Sequence, residues 1–376
     1  MSGARGAFSG PPRVTGFEKK EDGMRKKVIV LTLLALLPGL SGGPLRSMAS
    51  AESTSPSASP VRVAQQTAPR PAEGKPTRVK VVALQGTQLF PVRIMQTRGI
   101  AAKHGIDMDL MEVASPQASY TAMQTGDIQI GFTGWIVIAS LREKGFKLTN
   151  VYSMISYTNA VMVKVDSPIK DIADLKGKRV GLFGGPNSAT TWLYRMIVEK
   201  FYGFDPMKAS KVHFGAPPLL MGMMDRGDLD AVLVLDPFIS QMLETDKYKS
   251  VAHLGEIWRA KTGQSPMLVS VTVNETWAKA NPDVANRFVL AFKEALTYLK
   301  NTPEVWKELA QGMGLKTDRG VKILYERTAD ALIIRWDKKL IDEQYAYAAE
   351  LYKTFGKQPD LPERVPDGTF DLSYAP

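Results

Sequence analysis

From residue 79 onward the chain alternates between two hydrophobic rhythms. Short apolar runs rich in Val, Ile, Leu and Phe are separated by longer stretches in which apolar residues recur every three or four positions. The first rhythm is that of strands and the second that of amphipathic helices. The fold class read from this alternation is α/β with mostly parallel sheets. Strands are predicted at Val79 to Leu84, Met108 to Val113, Ile128 to Phe132, Val151 to Met154, Ala160 to Val165, Arg179 to Phe183, Lys211 to Phe214, Ala231 to Leu235 and Val269 to Val273. Helices are predicted from Pro91 to about Lys103, around Ser119 to Thr125, from Trp135 to near Gly145, and from Pro168 to Leu175. Others run from Ser188 to about Tyr202, from Pro217 to Arg226, and after Asn274 almost to Phe355, with starts at Pro282, Pro303 and Thr317. Gly105, Gly126, Gly177 and Gly227 stand at the expected helix ends.

The order of these elements suggests two lobes. One α/β set is followed by a second, and the simplest packing returns the strand at 269–273 to the first. Lobe 1 is then 78–165 with 270–376, and lobe 2 is 166–269. Two crossovers, near 164–168 and 265–270, join them as a hinge. A cleft between such lobes is a natural small-molecule site.

The first 77 residues follow neither rhythm. Arg25, Lys26 and Lys27 precede a short apolar run from Val28 to Leu37, and Ala49, Ser50 and Ala51 offer a small-x-small cleavage site. Residues 1–51 are read as a signal region removed after Ala51, with Met24 as the true start, so the chain is expected to be periplasmic. Residues 52–77, rich in Ser, Pro, Ala, Gln and Thr, read as a disordered tether.

Charge and composition narrow the chemistry. The net charge is +10, of which residues 1–51 hold +5; the remainder has 40 Lys/Arg against 35 Asp/Glu. That is an ordinary surface without the clustered basic face of a nucleic-acid binder, and no nucleic acid is expected as a partner. With no cysteine among 376 residues, thiol nucleophiles, thiolate metal sites and disulfides are excluded. His104, His213 and His253 share no metal spacing, and no Gly-x-Ser-x-Gly elbow or P-loop is present. No catalytic residue, metal or cofactor is expected, and a monomer is.

Four strand-to-helix junctions carry unusual polar or Gly-rich chemistry: Gln85, Gly86, Thr87 and Gln88; Thr133, Gly134 and Trp135; Gly184 through Thr190, with Asn187, Ser188 and Ala189; and Asp236 before Pro237. Ligands of open α/β sheets sit beyond the carboxyl ends of strands. Unpaired amides and the positive dipole end of a helix start suit an anion. Ordinary capping and turn chemistry explains any one junction equally well; the coincidence of several is what points to a site. Tyr157 and Asn159, near the first crossover, are added as cleft candidates. Trp192 could line the cleft or belong to the core.

Several segments resemble a known family. They are Arg98 through Ile106; Ala122 through Gly131; Ser167 through Val180 (SPIKDIADLKGKRV); and Gly227 through Ala231 with Asp236, Pro237 and Phe238. Together these are similar to the nitrate/sulfonate/taurine group of periplasmic substrate-binding proteins of ABC transporters. The resemblance covers essentially all of 78–376. It implies the type II periplasmic-binding fold, a small organic anion as ligand, and an ABC permease with its ATPase as partners. It also implies ligand contact at Gln85, Thr133, Gly134, Asn187, Ser188 and Ala189, with Asp236 at the cleft floor. Leu235 stands where the sulfonate pattern usually has Trp, and Gly86 where it often has a basic or aromatic residue. These departures leave two relatives open as alternatives: receptors for a thiamine-precursor pyrimidine, and the synthase-like enzymes that make it.

Overall fold

A computed structural model describes residues 75–359 and 361–374. The expected signal region, the start at Met24 and the tether up to residue 74 lie outside the described residues. In chain order the strands are β1 (Thr77–Leu84), β2 (Ile106–Val113), β3 (Ile130–Thr133), β4 (Leu148–Ser156), β5 (Ala160–Lys164), β6 (Arg179–Leu182), β7 (Lys211–Phe214), β8 (Ala231–Val234), β9 (Tyr248–His253) and β10 (Met267–Asn274). They form two five-stranded sheets, β2-β1-β3-β10-β4 and β7-β6-β8-β5-β9.

The two sheets share one plan. In the first, β2, β1 and β3 are parallel, and β10 is antiparallel to both β3 and β4. In the second, β7, β6 and β8 are parallel, and β5 is antiparallel to both β8 and β9. Each sheet thus has four strands in one direction and one reversed strand, and the reversed strand is the one that enters from the other lobe. A chain leaving one sheet at its carboxyl edge enters the next at the same edge, so it must run backwards there. This arrangement turns the carboxyl ends of the eight forward strands toward the seam between the sheets.

The pairing of β5 corrects the expected boundary. β5 belongs to the second sheet, so the first crossover is Tyr157–Asn159 rather than 164–168. The second crossover is longer than expected, because helix Leu254–Thr262 is interposed before β10. The return of β10 to the first sheet agrees with the expected topology.

The tail is not confined to lobe 1. Residues 331–333 bond to the edge of β4, through Ser156 N to Ala331 O at 2.9 Å and Ile333 N to Met154 O at 2.9 Å. Helix Asp318–Ala329 instead docks on lobe 2, where Glu244 accepts from the amides of Lys316 and Thr317 and from the Thr317 hydroxyl. Helix Lys338–Phe355 packs on helix Ala189–Tyr202, with Phe355 against Trp192. Its Tyr347 meets Trp135 of lobe 1 edge-on at 6.0 Å and Trp258 of the second crossover at 5.1 Å. The tail therefore braces the hinge side of both lobes.

Candidate ligand-binding cleft

The forward-strand geometry brings the polar junctions to one place. A cavity in the seam is bordered by Leu84, Gln85, Thr87 and Gln88 after β1, and by Pro116, Ser119 and Tyr120 of the helix after β2. Phe132, Thr133 and Gly134 border it at the end of β3, with Ile155 and Thr158 beside the first crossover. Lobe 2 contributes Phe183, Gly184, Ser188, Ala189, Thr190 and Leu235, and Leu268 and Val269 open β10. About 70 Å³ is open to the centres of water-sized molecules. One water needs roughly 10–15 Å³ on that measure, so a compact guest fits.

Two helix starts, one from each lobe, border this space. Helix Ala189–Tyr202 is capped by Ser188, whose Oγ accepts from Thr191 N at 3.2 Å. The amides of Ala189 and Thr190 have no acceptor among the described residues, which is the ordinary condition of a helix start. Helix Trp135–Glu143 begins at Gly134 without any side-chain cap. The lobes touch here, since a Cβ placed on Gly134 would lie only 3.1 Å from the Ala189 Cβ. A Cβ on Gly86, at φ +115°, would lie 3.7 Å from Pro237 Cδ of the other lobe. The cleft is therefore closed, and small residues permit the approach.

Neighbouring groups hold the site in place. The Thr133 hydroxyl lies 2.6 Å from that of Thr272, and the Thr133 carbonyl accepts from Ser270. Gln88 Oε1 accepts from Leu84 N at 3.2 Å and fixes the first loop. Asn159 in the crossover donates to Val234 O, and Thr190 donates to its Oδ1 at 3.5 Å. The Tyr157 hydroxyl donates to Ala189 O at 3.2 Å.

The structure brings together Gln85, Thr87, Gln88, Thr133, Gly134, Ser188, Ala189 and Thr190. Gly86 supports its loop without bordering the cavity, and four other expected residues stand elsewhere. The Trp135 side chain turns away into the aromatic packing around Tyr347 and Phe370, because the first residue of a helix can aim its amide one way and its side chain another. Tyr157 lies in the crossover beneath Ala189, and Asn187 lies exposed on the loop outside the lining. Asp236 is fully buried behind Leu235 and does not form the cleft floor. Its carboxylate accepts from Ser240 N, from the Ser240 hydroxyl at 2.6 Å and from Arg327 Nε at 2.9 Å. Burial pushes this carboxyl up, while Arg327 and the Ser240 donors oppose the shift. Trp192 belongs to the core, beside Phe355.

Arg327 was not legible as part of this arrangement. From the tail it joins Asp236, the Thr158 carbonyl at 2.6 Å and His253 Nδ1 at 2.9 Å. Burial, and then the Arg327 charge, hold His253 below the usual imidazole range, so the ring is neutral and accepts. Ser119, Tyr120, Phe132 and Phe183 are also lining residues that the junction pattern passed over. Among the described residues the lining carries no Lys, Arg, His, Asp or Glu. Its one titrating side chain is Tyr120, whose hydroxyl burial pushes up to about 12. Such a lining offers no amine for an imine and no metal ligand set. Among the described residues no three His, Asp or Glu gather to hold a metal.

A family model described as NMT1/THI5 like matches residues 87–305. The chain is 25% identical over 237 residues to the 4-amino-5-hydroxymethyl-2-methylpyrimidine phosphate synthase THI12 of Saccharomyces cerevisiae, covering 58% of this chain and 66% of that one, just under two thirds of its length. It is likewise 25% identical over 231 residues to the taurine-binding periplasmic protein of Escherichia coli, covering 61% of this chain and 69% of that one. Among solved structures, the alkanesulfonate-binding protein SsuA of Xanthomonas axonopodis pv. citri bound to MOPS superposes with a TM-score of 0.66 at 17% identity, covering 80% of this chain and all of that one. The periplasmic nitrate-binding protein NrtA of Synechocystis superposes at 0.53 with 15% identity, covering 68% of this chain and 69% of that one. The fold is that of these periplasmic binding proteins.

Proposed function

Since the chain belongs to the NMT1/THI5-like family, we propose that it is the solute-binding component of an ABC importer. It acts in the periplasm as a monomer, closes on a small organic anion, and delivers it to a permease and its ATPase without chemical change. The observation that carries this reading is the pair of helix starts, with unpaired amides at Ala189 and Thr190, around a cavity without carboxylates. Helix starts stabilise negative charge, and only the closed form presents both. The apolar remainder, Phe132, Phe183, Leu235, Leu268 and Val269, suits an organic body better than a bare inorganic ion.

A second reading is a receptor for a neutral pyrimidine, favoured by the uncharged, partly aromatic lining of Tyr120, Phe132 and Phe183. An enzyme of the pyrimidine-synthase type has less support, since the lining supplies no acid, base or lysine for that chemistry. Calorimetry of the purified chain against ethanesulfonate, propanoate, nitrate and 4-amino-5-hydroxymethyl-2-methylpyrimidine separates the readings. An organic anion is expected to bind. Binding of the pyrimidine alone would replace the anion reading with the second one.

A further inference from the structure

Ser119 borders the cavity from the helix Pro116–Gln124, on lobe 1. The residue is 1% exposed, and its Oγ is sealed from solvent without a hydrogen-bond partner. Its own helix does not engage it, and Ser115 caps that helix instead, through Ala118 N. An unsatisfied buried hydroxyl is destabilising, so a group in the cavity that bonds to it recovers that penalty. The helix starts of Ala189–Tyr202 and Trp135–Glu143 account for an acid group. Ser119 is a separate polar position on a different element.

Resting on the anion reading above, we propose that the ligand carries, apart from its acid group, an uncharged hydrogen-bonding substituent that Ser119 reads. The substituent is uncharged because of what the lining lacks. An ammonium group in this closed cavity would meet no carboxylate, and a buried unpaired cation is strongly disfavoured. The nearest buried carboxylate, Asp236, lies outside the lining and is engaged by Arg327 and Ser240. A hydroxyl can both donate to and accept from the Ser119 hydroxyl without any charge to compensate. The specificity therefore differs from that expected for an amino-sulfonate such as taurine. The class is a compact hydroxy- or amide-bearing organic acid.

Two isosteric sets test this on the full chain by calorimetry. The first is isethionate, taurine and propane-1-sulfonate; the second is 3-hydroxypropanoate, β-alanine and butanoate. Within a set the acid group is constant and only the far substituent changes. The hydroxyl member is expected to bind about tenfold more tightly than the other two, the worth of one buried hydrogen bond. In Ser119→Ala the ratio of hydroxyl member to methyl member should fall to near one. A site built to satisfy a polar group rejects the analogue that lacks it. Equal or tighter binding of the ammonium member overturns the proposal, as does a hydroxyl preference that survives Ser119→Ala. Binding without discrimination sinks this inference and leaves the anion reading standing. Failure of all six compounds removes the anion reading and this inference with it.

Discussion

At the scale of single residues, the strongest electrostatic commitment is the buried pair of Asp236 and Arg327. Asp236 is fully buried, and Arg327 reaches it from a different part of the chain at 2.9 Å. Removing one partner of such a pair leaves a buried charge uncompensated, typically at about 3–5 kcal/mol. Arg327→Ala should therefore lower the unfolding free energy by about that amount in denaturant titration. A change near zero would mean that Asp236 is neutral in the folded chain. Tyr120 supports a second expectation. It is the one titrating side chain of the lining, and burial holds its hydroxyl protonated up to about 12. A sulfonate, ionised throughout, should bind with an affinity that does not change between pH 7 and pH 9. A titration step in that range would show that another ionising group reaches the ligand.

At the scale of elements, the helix Ala189–Tyr202 carries both structure and site. Ser188→Ala removes its cap, a loss of about 1 kcal/mol in thermal or denaturant unfolding. Gly134 tests closure itself. Its φ of −75° suits any residue, so a larger side chain there strains no backbone. It would instead meet Ala189 and the Leu268 carbonyl, each 3.1 Å from a Cβ. Gly134→Val should prop the lobes apart and weaken anion binding by about tenfold or more, since only the closed form uses both helix starts. Calorimetry paired with small-angle scattering would show the lost affinity together with a larger radius. The elements themselves were unevenly legible in the sequence. Strand Lys211–Phe214 and helix Pro217–Arg226 match their expected bounds, because Pro217 marks the helix start and Gly227, at φ 80°, its end. β9 (Tyr248–His253) was missed, since this half-buried edge strand mixes Lys249 and Ser250 into its apolar positions. The first helix breaks at Gly99, with φ of 65°, where an unbroken run to Lys103 was expected. Helix Pro116–Gln124 begins earlier than its expected start at Ser119, which leaves Ser119 and Tyr120 out of the junction pattern. The glycine-rich junctions were visible because strand ends that approach one another need small residues. The route of Arg327 to Asp236 was not, because it depends on how the tail folds back.

At the scale of the whole molecule, the matched plan of the two sheets decides where a guest can go. Eight forward strands end at the seam, and the reversed β5 and β10 begin there. On the proposed reading, a ligand between the lobes would meet the loops and helix starts that follow these strand ends. A ligand that binds only the folded chain raises its stability by mass action, by about 2.7 kcal/mol at a hundredfold excess over Kd. The best anion of the isosteric sets should accordingly raise the thermal midpoint in scanning calorimetry, and an anion that binds in titration without moving that midpoint would be acting away from the folded cleft.

Tyr347 lies between two indoles, Trp135 on lobe 1 and Trp258 beside the second crossover. A hinge motion that separates lobe 1 from the second crossover would alter the packing of that phenol against at least one indole. If the chain closes on a ligand as proposed, native tryptophan emission should change on titration with that ligand, without an attached dye.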